Sequence, residues 1–422
     1  MIADIAIIGA GAAGLMAAIW AGRAGCRSVV VLDGARSLGA KILVAGGGRC
    51  NVTHDVVDEK QYAGSTPPAI RNVLRRFDVP ETIDFFRELG VELKREDTGK
   101  LFPVTDDATT VLHALLRGVR DAGGAGARIV HPWRVEYIEK DGDGFVIRRA
   151  ASTDTVRARK VVLATGGMSL PKSGSDGAGF EIAKSLGHTI TPRVFPALVP
   201  LVVAEREHRL RELSGIAADC VLEVKSGTGK VLKRLEGAVL ITHFGYSGPG
   251  ILDISRYLLD ARAQDDRASL AISWIGEKNF EALDADLARL GKVSPGRFLS
   301  EKLPERLAKA LCAGAGVDPS APGHTLTRES RRRLAQAVCA WIVPCQGDRG
   351  WNFAEVTAGG VPLAEVNIRT MESRPCPGLH LCGEICDVDG RIGGYNFQWA
   401  WASGYVAGSS AAAAASDGAV QT

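Results

Sequence analysis

The amino-acid sequence predicts an α/β fold whose main domain is discontinuous, built from both ends of the chain and interrupted by a middle insertion. Three observations indicate this organisation. A buried strand, a glycine-rich turn and a helix follow one another in residues 5–23. Further glycine-rich segments at 46–48, 164–167 and 382–396 join one site only if the C-terminus returns to the N-terminus. Between them, residues 197–275 favour short strands and residues 276–340 favour helices.

Length and composition are those of a multidomain globular protein. The chain has 422 residues, 46% of them hydrophobic and 23% charged, which allows two or three domains with a sizeable core. A formal net charge of +3 neither demands nor excludes a nucleic-acid partner. The nine cysteines lack C-x-x-C and metal-ligand spacings, so we expect reduced thiols and no metal site. No apolar run approaches the roughly 20 residues of a membrane span, and we expect a cytoplasmic chain without a signal peptide.

The N-terminal segment carries the fingerprint of a dinucleotide site. Ile5–Ile8 predicts a parallel strand buried on both faces, and residues 15–23 predict a helix. Between them, Gly9, Gly11 and Gly14 stand at G-x-G-x-x-G spacing. This spacing permits a tight turn, the approach of a pyrophosphate and close helix–strand packing. The helix N-terminus then offers its N–H groups and a partial positive charge to the phosphates.

An acidic residue completes this fingerprint. A second strand, predicted over Val29–Leu32, ends at Asp33, nineteen residues beyond Gly14. A carboxylate at this position binds ribose hydroxyls. NAD and FAD share the fingerprint, so this segment leaves both open. No second strand–glycine–helix unit follows in the sequence, and NAD(P)H, if it is the electron donor, would enter only transiently.

Three later segments resemble flavoproteins of the glutathione-reductase and fumarate-reductase superfamily. Gly46–Gly48 stands where those proteins carry the loop that faces the isoalloxazine ring. Val161–Gly167 is similar to their strand that ends in A-T-G-G beneath the cofactor. Gly383-Glu384 is similar to their C-terminal motif, whose acid meets the ribityl chain. The resemblance implies FAD as the resident cofactor.

A longer set of motifs narrows the resemblance to the BaiN/YhiN-type flavoproteins. These motifs are Lys41–Thr53, Gly167–Pro171, Gly174–Gly177, Pro196–Leu201, Thr242–Pro249, Thr370–Ser373 and Gly383–Ala400. Ala45 and His54 depart from the serine and asparagine that the family usually has there. The family architecture implies a Rossmann-like FAD-binding domain, an inserted β-barrel and a small helical subdomain. The expected boundaries are 1–194 and 358–422 for the FAD-binding domain, 195–275 and 341–357 for the β-barrel, and 276–340 for the helical subdomain.

Carried over residue by residue, the resemblance implies a cofactor site made of glycine turns and a few side chains. Its residues are Gly9, Ala10, Gly11, Ala12, Ala13, Gly14, Asp33, Lys41, Gly47, Gly48, Arg49, Asn51, Val135, Ala164, Thr165, Gly166, Gly383, Glu384, Gly394, Tyr395, Asn396 and Phe397. Glycines at 46–48 let backbone approach a flat ring where a Cβ would clash. The helix predicted over Phe397–Val406 would direct its N–H groups at the N1/O2 edge of the ring. Alternatively, it is only a packed terminal helix after a glycine turn.

Three side chains are candidates for catalysis, and each has a structural alternative. Cys50 beside Arg49 would have a lowered pKa and act as proton donor or nucleophile, or it fills space under the cofactor. His243, in the loop 242–250, is either a general acid or a side chain that fixes loop backbone. Tyr395 either donates its phenol to the substrate or stacks on the ring. Arg49 binds an oxyanion or flavin O2, or forms an ion pair.

The resemblance also implies the chemistry, which is reduction of a conjugated C=C bond. The substrate is either uridine in large-subunit ribosomal RNA, which gives dihydrouridine, or an unsaturated oxo-steroid of bile-acid metabolism. In both, hydride moves from flavin N5 to the β-carbon of an enone-like system, and an acid supplies the proton. We favour RNA. An FAD-dependent oxidase or monooxygenase, and an RNA-binding factor that uses FAD structurally, stay open, as does the oligomeric state.

Several segments give further expectations. Three clusters of arginines either bind RNA phosphates or are solvated surface faces. They are Arg71/Arg75/Arg76, Arg206/Arg209/Arg211 and Arg331/Arg332/Arg333. Helices are predicted over Leu299–Leu311 and Arg328–Trp341 within the middle insertion. The alanine run 411–415 is predicted to be a fraying end.

Overall fold

The computed structural model describes residues 2–122 and 127–417 and divides into two compact units. We call Met1–Pro196 with Glu355–Thr422 the two-ended unit, and Ala197–Ala354 the middle unit. The predicted α/β fold, with one unit formed by both chain ends, is confirmed.

Strands and helices alternate along much of the chain. The strands are β1 Ile2–Ile8, β2 Val29–Leu32, β3 Thr53–His54, β4 Tyr62–Gly64, β5 Leu93–Arg95, β6 Lys100–Pro103, β7 Arg128–Val130, β8 Val135–Asp141, β9 Gly144–Arg149, β10 Thr155–Leu163, β11 Phe195–Ala197, β12 Leu201–Val203, β13 Ala217–Lys225, β14 Val231–Thr242, β15 Gly245–Ser247, β16 Ser269–Ser273, β17 Trp341–Val343, β18 Cys345–Asp348, β19 Val356–Ala358, β20 Val366–Asn367, β21 Glu372–Ser373, β22 Leu379–Leu381 and β23 Val388–Gly390. The helices are α1 Ala12–Arg23, α2 Ala40–Gly48, α3 Pro67–Leu74, α4 Val79–Glu88, α5 Ala108–Asp121, α6 Ala178–Ser185, α7 Pro249–Gln264, α8 Phe280–Ala288, α9 Pro295–Ser300, α10 Glu305–Gly314, α11 Arg328–Cys339 and α12 Tyr395–Asp417.

A parallel sheet forms the centre of the two-ended unit. Its parallel strands lie in the order β22-β10-β1-β2-β7, with antiparallel additions at β9 and at β21. The C-terminal strand β22 pairs with β10, so that Val161 lies opposite Leu379 and Leu163 opposite Leu381. Strand β10 in turn pairs with β1. The last and first segments of the chain therefore share one sheet, which is a Rossmann-type arrangement.

Helix α12 closes this unit by packing on α1. A Cβ at Gly404 would lie 2.6 Å from the Ala13 carbonyl oxygen, and one at Gly408 would lie 2.2 Å from that of Ala17. The two helices therefore approach so closely that glycine is required at the contact. The alanine run continues this helix, and both Ala411 and Ala412 are fully buried. The predicted fraying end is wrong, because small side chains let the last turns pack.

The middle unit is built on an antiparallel sheet. Its strand order is β17-β16-β13-β14-β15-β12-β18, and no pairing between β17 and β18 closes it within the part of the chain that the structure describes. Leu222 and Ile272 of this sheet share one core with Leu307 and Leu334 of the helices. The predicted barrel and separate helical subdomain are therefore not confirmed.

Proline divides one of the helices predicted in this unit. The segment predicted as a single helix over Leu299–Leu311 forms the end of α9 and most of α10, with Pro304 at the N-cap of α10. Proline lacks the N–H that a continuous helix needs at that position. Helix α11 lies where a helix over Arg328–Trp341 is predicted. Over the residues described, none of the helices has both the length and the apolar character needed to cross a bilayer.

Candidate functional site

The predicted site segments converge at one edge of the parallel sheet. Strands β1, β2, β10 and β22 end at residues 8, 32, 163 and 381, immediately before Gly9, Asp33, Ala164 and the Cys382-Gly383-Glu384 segment. The carboxyl ends of parallel strands meet at the same edge, where ligands bind in open α/β sheets. The four segments are thus brought together although the first and last are more than 350 residues apart.

The three glycines after β1 have different surroundings. A Cβ at Gly9, whose φ is +105°, would lie 2.4 Å from the Ala164 carbonyl oxygen. A Cβ at Gly14 would lie 1.9 Å from the Gly9 carbonyl oxygen. At Gly11 a Cβ would meet no heavy atom within 4 Å. Packing within the protein therefore requires Gly9 and Gly14, whereas Gly11 leaves room for a ligand.

Helix α1 presents an uncapped N-terminus to this space. Its N-cap is Gly11, no side chain caps the helix, and its first turn, which includes Ala12 and Ala13, holds no acidic residue. Such a helix end favours a negatively charged group. Its position directly after β1 is suited to a pyrophosphate.

The carboxylate of Asp33 is fixed at the end of β2. Its Oδ2 accepts from Ala10 N at 2.6 Å, and its Oδ1 accepts from Ala35 N at 2.7 Å. Each oxygen has a second acceptor position left for a ribose hydroxyl. The backbone N–H of Trp133 donates to the Asp33 carbonyl oxygen at 2.6 Å, which brings the segment leading to buried Val135 beside this turn.

The glycine loop forms the last part of α2, where the backbone leaves the helical conformation and becomes left-handed. Ala45 is extended, and Gly46, Gly47 and Gly48 have φ of +59°, +71° and +87°. A Cβ at Gly47 would meet nothing within 4 Å. Asn51, just beyond the loop, is 7% exposed, and its Oδ1 has no hydrogen-bond partner among the described residues. A buried acceptor without a partner is costly, so this oxygen is suited to a ligand donor.

Lys41 and Glu384 form an ion pair that sequence reasoning missed. Lys41 Nζ donates to Glu384 Oε2 at 2.7 Å, to Ser169 Oγ at 2.8 Å and to Ser175 Oγ at 3.1 Å. Glu384 Oε1 accepts from Ser169 Oγ at 3.0 Å and from Thr357 N at 2.9 Å. The serines belong to family motifs, but no local pattern in the sequence connects them to the lysine. The pair ties α2 to the segment after β22.

This pair gives a first prediction. Lys41→Met should lower the free energy of unfolding by about 1–3 kcal/mol, because the partly buried Glu384 carboxylate loses its cation. Glu384→Gln should cost less, since the amide keeps an acceptor for Thr357 N. Chemical denaturation of the FAD-free protein measures both values. Equal stability of Lys41→Met and the parent chain would contradict a structural role for the pair. The control is Lys172→Met, which replaces an exposed lysine in the same unit.

The strand end at β10 and the start of α12 complete the edge. Ala164 N donates to the Ile8 carbonyl oxygen at 2.9 Å, which aligns Ala164-Thr165-Gly166 with the glycine turn. Gly166 has a φ of +73°. A Cβ at Gly394, with φ of +96°, would lie 2.6 Å from the Thr53 carbonyl carbon. The turn before α12 therefore lies against the segment that follows the glycine loop.

The first residues of α12 have defined contacts. Tyr395 is 6% exposed and stacks on His54 with 4.9 Å between ring centroids. The Asn396 side chain accepts from Gly390 N at 2.8 Å and donates to Gly390 O at 3.0 Å, so it holds the preceding turn. Phe397 stacks on Trp401 at 5.5 Å. Cofactor contacts at these three side chains stay predictions.

Arg49 and Cys50 do not interact as predicted. Arg49 Nη1 lies 2.6 Å from Glu96 Oε1 and 3.5 Å from Asp106 Oδ1, and its guanidinium lies 4.0 Å from the Phe102 ring centroid. Cys50 is fully buried, and desolvation raises the pKa of its thiol to about 12. The predicted lowering of this pKa is wrong, because the thiol is desolvated by burial, and the adjacent arginine pairs with carboxylates instead. A thiolate nucleophile is therefore not supported, and the alternative of a space-filling cysteine fits.

Replacement of Cys50 gives a second prediction. If this thiol donated a proton to the substrate, its loss would reduce turnover by about 10²–10⁴-fold. We expect Cys50→Ala to change turnover by less than about threefold, with Cys26→Ala, another buried cysteine of this unit, as the control.

The same thiol contributes to the pH dependence of stability. Burial raises the pKa of the Cys50 thiol from its ordinary 9.0 to about 12, so the folded chain holds the proton more tightly than the unfolded chain. The contribution of this thiol to the free energy of unfolding is therefore fully present below pH 9 and is lost as pH rises toward 12. Cys50→Ala should make this alkaline loss smaller in denaturation curves recorded at several pH values. An unchanged alkaline slope would contradict the raised pKa.

His243 lies in the middle unit, at the turn between β14 and β15. Its ring is exposed and contacts Phe244 edge-on at 5.1 Å between centroids. A catalytic role for this residue stays a prediction. Among the described residues, no group of histidine, cysteine, aspartate and glutamate side chains is arranged to hold a metal ion.

The edge of the two-ended unit fits the parts of FAD. The uncapped α1 with open space at Gly11 suits the pyrophosphate, and the fixed Asp33 carboxylate suits a ribose. The open left-handed loop at Gly47 and the unpartnered Asn51 Oδ1 suit a flat ring with polar edges. These features are independent of each other in the sequence and meet at one edge.

Comparisons with known proteins agree with this geometry. Over 413 residues the chain is 35% identical to a 3-dehydro-bile acid delta(4,6)-reductase of Clostridium scindens, covering 97% of this chain and 98% of the relative. It is 34% identical to a ribosomal RNA dihydrouridine synthase of Escherichia coli, covering 95% and 96%. Among solved structures, Mycobacterium smegmatis Sdh1 in complex with UQ1 is similar in fold, with a TM-score of 0.50 and 16% identity over 100% of this chain and 71% of that one.

Fold and site together define the class of protein, which is an FAD-dependent oxidoreductase with a Rossmann domain. The chain belongs to the HI0933-like family, whose Rossmann-domain model matches residues 3–410. The family predicted from the motifs, which also includes the two relatives above, is thereby confirmed.

Proposed function

We propose that the chain is an NAD(P)H-driven reductase of a C=C bond conjugated to a carbonyl, and that its substrate is uridine in large-subunit ribosomal RNA. The observation that carries the proposal is full-length similarity to two relatives whose names share this chemistry. Formation of dihydrouridine and a delta(4,6)-reduction each saturate a C=C bond. A chain that matches both relatives over nearly their whole length is suited to the same reaction class.

The residues of the two-ended unit have separate roles in this proposal. When bound, FAD supplies the hydride and accepts electrons from NAD(P)H. The α1 N-terminus and Asp33 hold the nucleotide part, and the Lys41–Glu384 pair fixes the segment after β22. The first turn of α12 holds no acid, so its partial positive charge stays available to an anionic carbonyl or ring edge.

A proton must reach the α-carbon after the hydride has been delivered. Tyr395 is the residue we assign to this step, because its phenol lies at the α12 N-terminus against the His54 ring. The His54 Nδ1 lies 2.9 Å from Asp55 Oδ1, and its Nε2 lies 3.0 Å from the Thr98 carbonyl oxygen. These contacts hold the imidazole in place, so that the stacked tyrosine ring has a fixed orientation.

The second candidate substrate is an unsaturated 3-oxo steroid of the bile-acid type. The 35% identity to the Clostridium scindens reductase favours it. We place RNA first because basic side chains from two sequence clusters lie around one cleft of the middle unit, which suits a polyanion better than a steroid.

Anaerobic reoxidation of the flavin tests both candidates. The purified protein is reduced with NADPH or NADH without oxygen and offered protein-free large-subunit ribosomal RNA or an unsaturated 3-oxo steroid. We expect stoichiometric reoxidation by the RNA, together with a gain of two hydrogens per modified uridine by mass spectrometry. Reoxidation by the steroid alone would establish the second candidate.

Other outcomes identify the alternative classes. Reoxidation by oxygen coupled to a hydroxylated product would indicate a monooxygenase. Retention of FAD without reoxidation by either substrate would contradict the reductase proposal and favour a structural use of the cofactor.

A further inference from the structure

A cleft in the middle unit gathers basic side chains that are far apart in the sequence. Its volume is about 800 Å³. One wall is a face of α11, and the others include the end of α10, the strand β17 and the segment 206–209. The basic and aromatic side chains that line it are Arg206, Arg209, Arg332, Arg333, Phe280 and Trp341.

Helical spacing explains the wall formed by α11. Glu329, Arg332, Arg333 and Gln336 all line the cleft, at intervals of three and four residues. Residues at this spacing lie on one face of a helix. Arg331 lies off this face and forms a two-point ion pair with Asp284, at 2.6 and 3.3 Å.

Three of the four arginines are free of a firm ion pair. Arg206 is 88% exposed and only reaches Glu207 at 4.0 Å. Arg209 is exposed and, like Arg332, has no salt bridge within 4 Å among the described residues. The Arg332 guanidinium lies over the Phe280 ring at 5.1 Å. These side chains are therefore available to an anion.

The remaining arginine is fixed in place. Arg333 donates to Glu329 Oε1 at 2.7 Å and to the Ala315 carbonyl oxygen at 3.1 Å. Four arginines and two glutamates line the cleft, which leaves a formal net charge of +2 in a chain whose total is +3. This local excess of positive charge favours a polyanion at the cleft.

The apolar lining distinguishes RNA from an acidic protein segment. Ile342 is 51% exposed beside Trp341, and Phe280 lies under Arg332. Aromatic rings and planar guanidinium groups bind the faces of unpaired bases, and this cleft holds both. Phosphate-binding and base-binding groups occur together here.

We propose that this cleft binds single-stranded RNA, with Arg206, Arg209 and Arg332 at phosphates and bases against Phe280 and Trp341. The inference rests on the proposed function in which RNA is the substrate, and it assigns the contact to the middle unit. Of the six arginines in these two basic clusters, four line the cleft, whereas Arg211 and Arg331 lie outside its lining and pair with Glu205 and Asp284.

Binding of a labelled RNA to the full-length FAD-loaded protein tests this assignment. The probe is a fluorescein-labelled, uridine-rich single strand of about 12 nucleotides, within the span of a single-strand site. We expect the Arg209→Glu/Arg332→Glu variant to bind at least about tenfold more weakly and to reduce the slope of log K against log salt by about 1.4. The matched control is Arg289→Glu/Arg297→Glu, which makes the same charge change at exposed arginines of this unit outside the cleft.

Parallel measurements distinguish a failure of the cleft assignment from a failure of the proposed function. FAD absorbance and thermal unfolding confirm that both variants fold, and dihydrouridine formation is followed in each. If the wild-type protein reduces RNA and both variants bind it equally well, the cleft assignment fails and the proposed function stands. If the wild-type protein neither binds nor reduces RNA, both fail. Equal competition by polyglutamate of the same charge would overturn the assignment to RNA in favour of an acidic protein segment.

Discussion

Removal of the residues after Leu381 should abolish FAD retention, although the strand–glycine–helix segment at the N-terminus stays intact. The deletion removes Gly383, Glu384 and α12. Without α12 the Trp401 indole, which donates to the Val52 carbonyl oxygen at 2.8 Å, no longer holds the segment after the glycine loop. The cofactor edge then loses the segment that follows β22 and the helix α12, although β22 itself remains.

Comparison with a shorter deletion makes this result interpretable. Removal of residues 418–422 should leave the protein yellow, because these residues lie beyond the described end of α12. The middle unit has its own core, so limited proteolysis of the longer deletion should still yield a resistant fragment near 197–354. A yellow protein after the longer deletion would contradict a two-ended cofactor unit.

A point substitution in α12 tests the same dependence without loss of the helix. Ser403 Oγ accepts from Gly383 N at 2.9 Å and donates to the Trp399 carbonyl oxygen at 2.6 Å, and both ends of the bridge are buried. Ser403→Ala leaves the Gly383 N–H without a partner, which costs about 1–3 kcal/mol. We expect weaker FAD binding by titration calorimetry. Ser416→Ala, in the same helix, should bind FAD as the parent does.

The sequence predicts the parallel core well, for identifiable reasons. Residues 5–8 of β1 and the whole of β2 are continuous, buried apolar runs, and Gly9 and Asp33 follow them directly. The spacing of Gly9, Gly11 and Gly14 sets the turn and the helix start. Because β22 has only three residues, periodicity does not locate it, and only the structure places it beside β10.

Contacts between distant segments are what the sequence could not predict. Lys41 and Glu384 are 343 positions apart, and no local pattern pairs them. The position of Cys50 beside Arg49 predicts a lowered thiol pKa, yet the two adjacent side chains have different surroundings, since Cys50 is buried and Arg49 lies among carboxylates. In the middle unit, short β-rich runs predict strands, but closure of a sheet depends on the pairing of its edge strands, which such runs do not specify.

Alanine substitutions at Gly11 and Gly14 should have different effects, although both positions belong to one motif. At Gly14 the new Cβ would lie 1.9 Å from the Gly9 carbonyl oxygen, a backbone atom that has no room to move. Gly14→Ala should therefore destabilise the FAD-free protein by several kcal/mol, roughly 2–4, and abolish FAD binding. At Gly11 the new Cβ meets no protein atom within 4 Å, and the backbone there is extended. Gly11→Ala should leave the FAD-free protein within about 0.5 kcal/mol of the parent.

The affinity for FAD should nevertheless fall in Gly11→Ala, by about tenfold or more, because the methyl group occupies the space through which a pyrophosphate approaches the backbone. Denaturation of the FAD-free proteins measures the first effect, and fluorescence titration with FAD measures the second. Gly347→Ala is the control, since its Cβ also meets nothing within 4 Å and it lies in the middle unit. A Gly11→Ala protein that binds FAD as tightly as the Gly347→Ala protein would contradict the placement of the pyrophosphate at the start of α1. Loss of stability in Gly14→Ala with unchanged stability in Gly11→Ala separates what the fold requires of this motif from what the ligand requires.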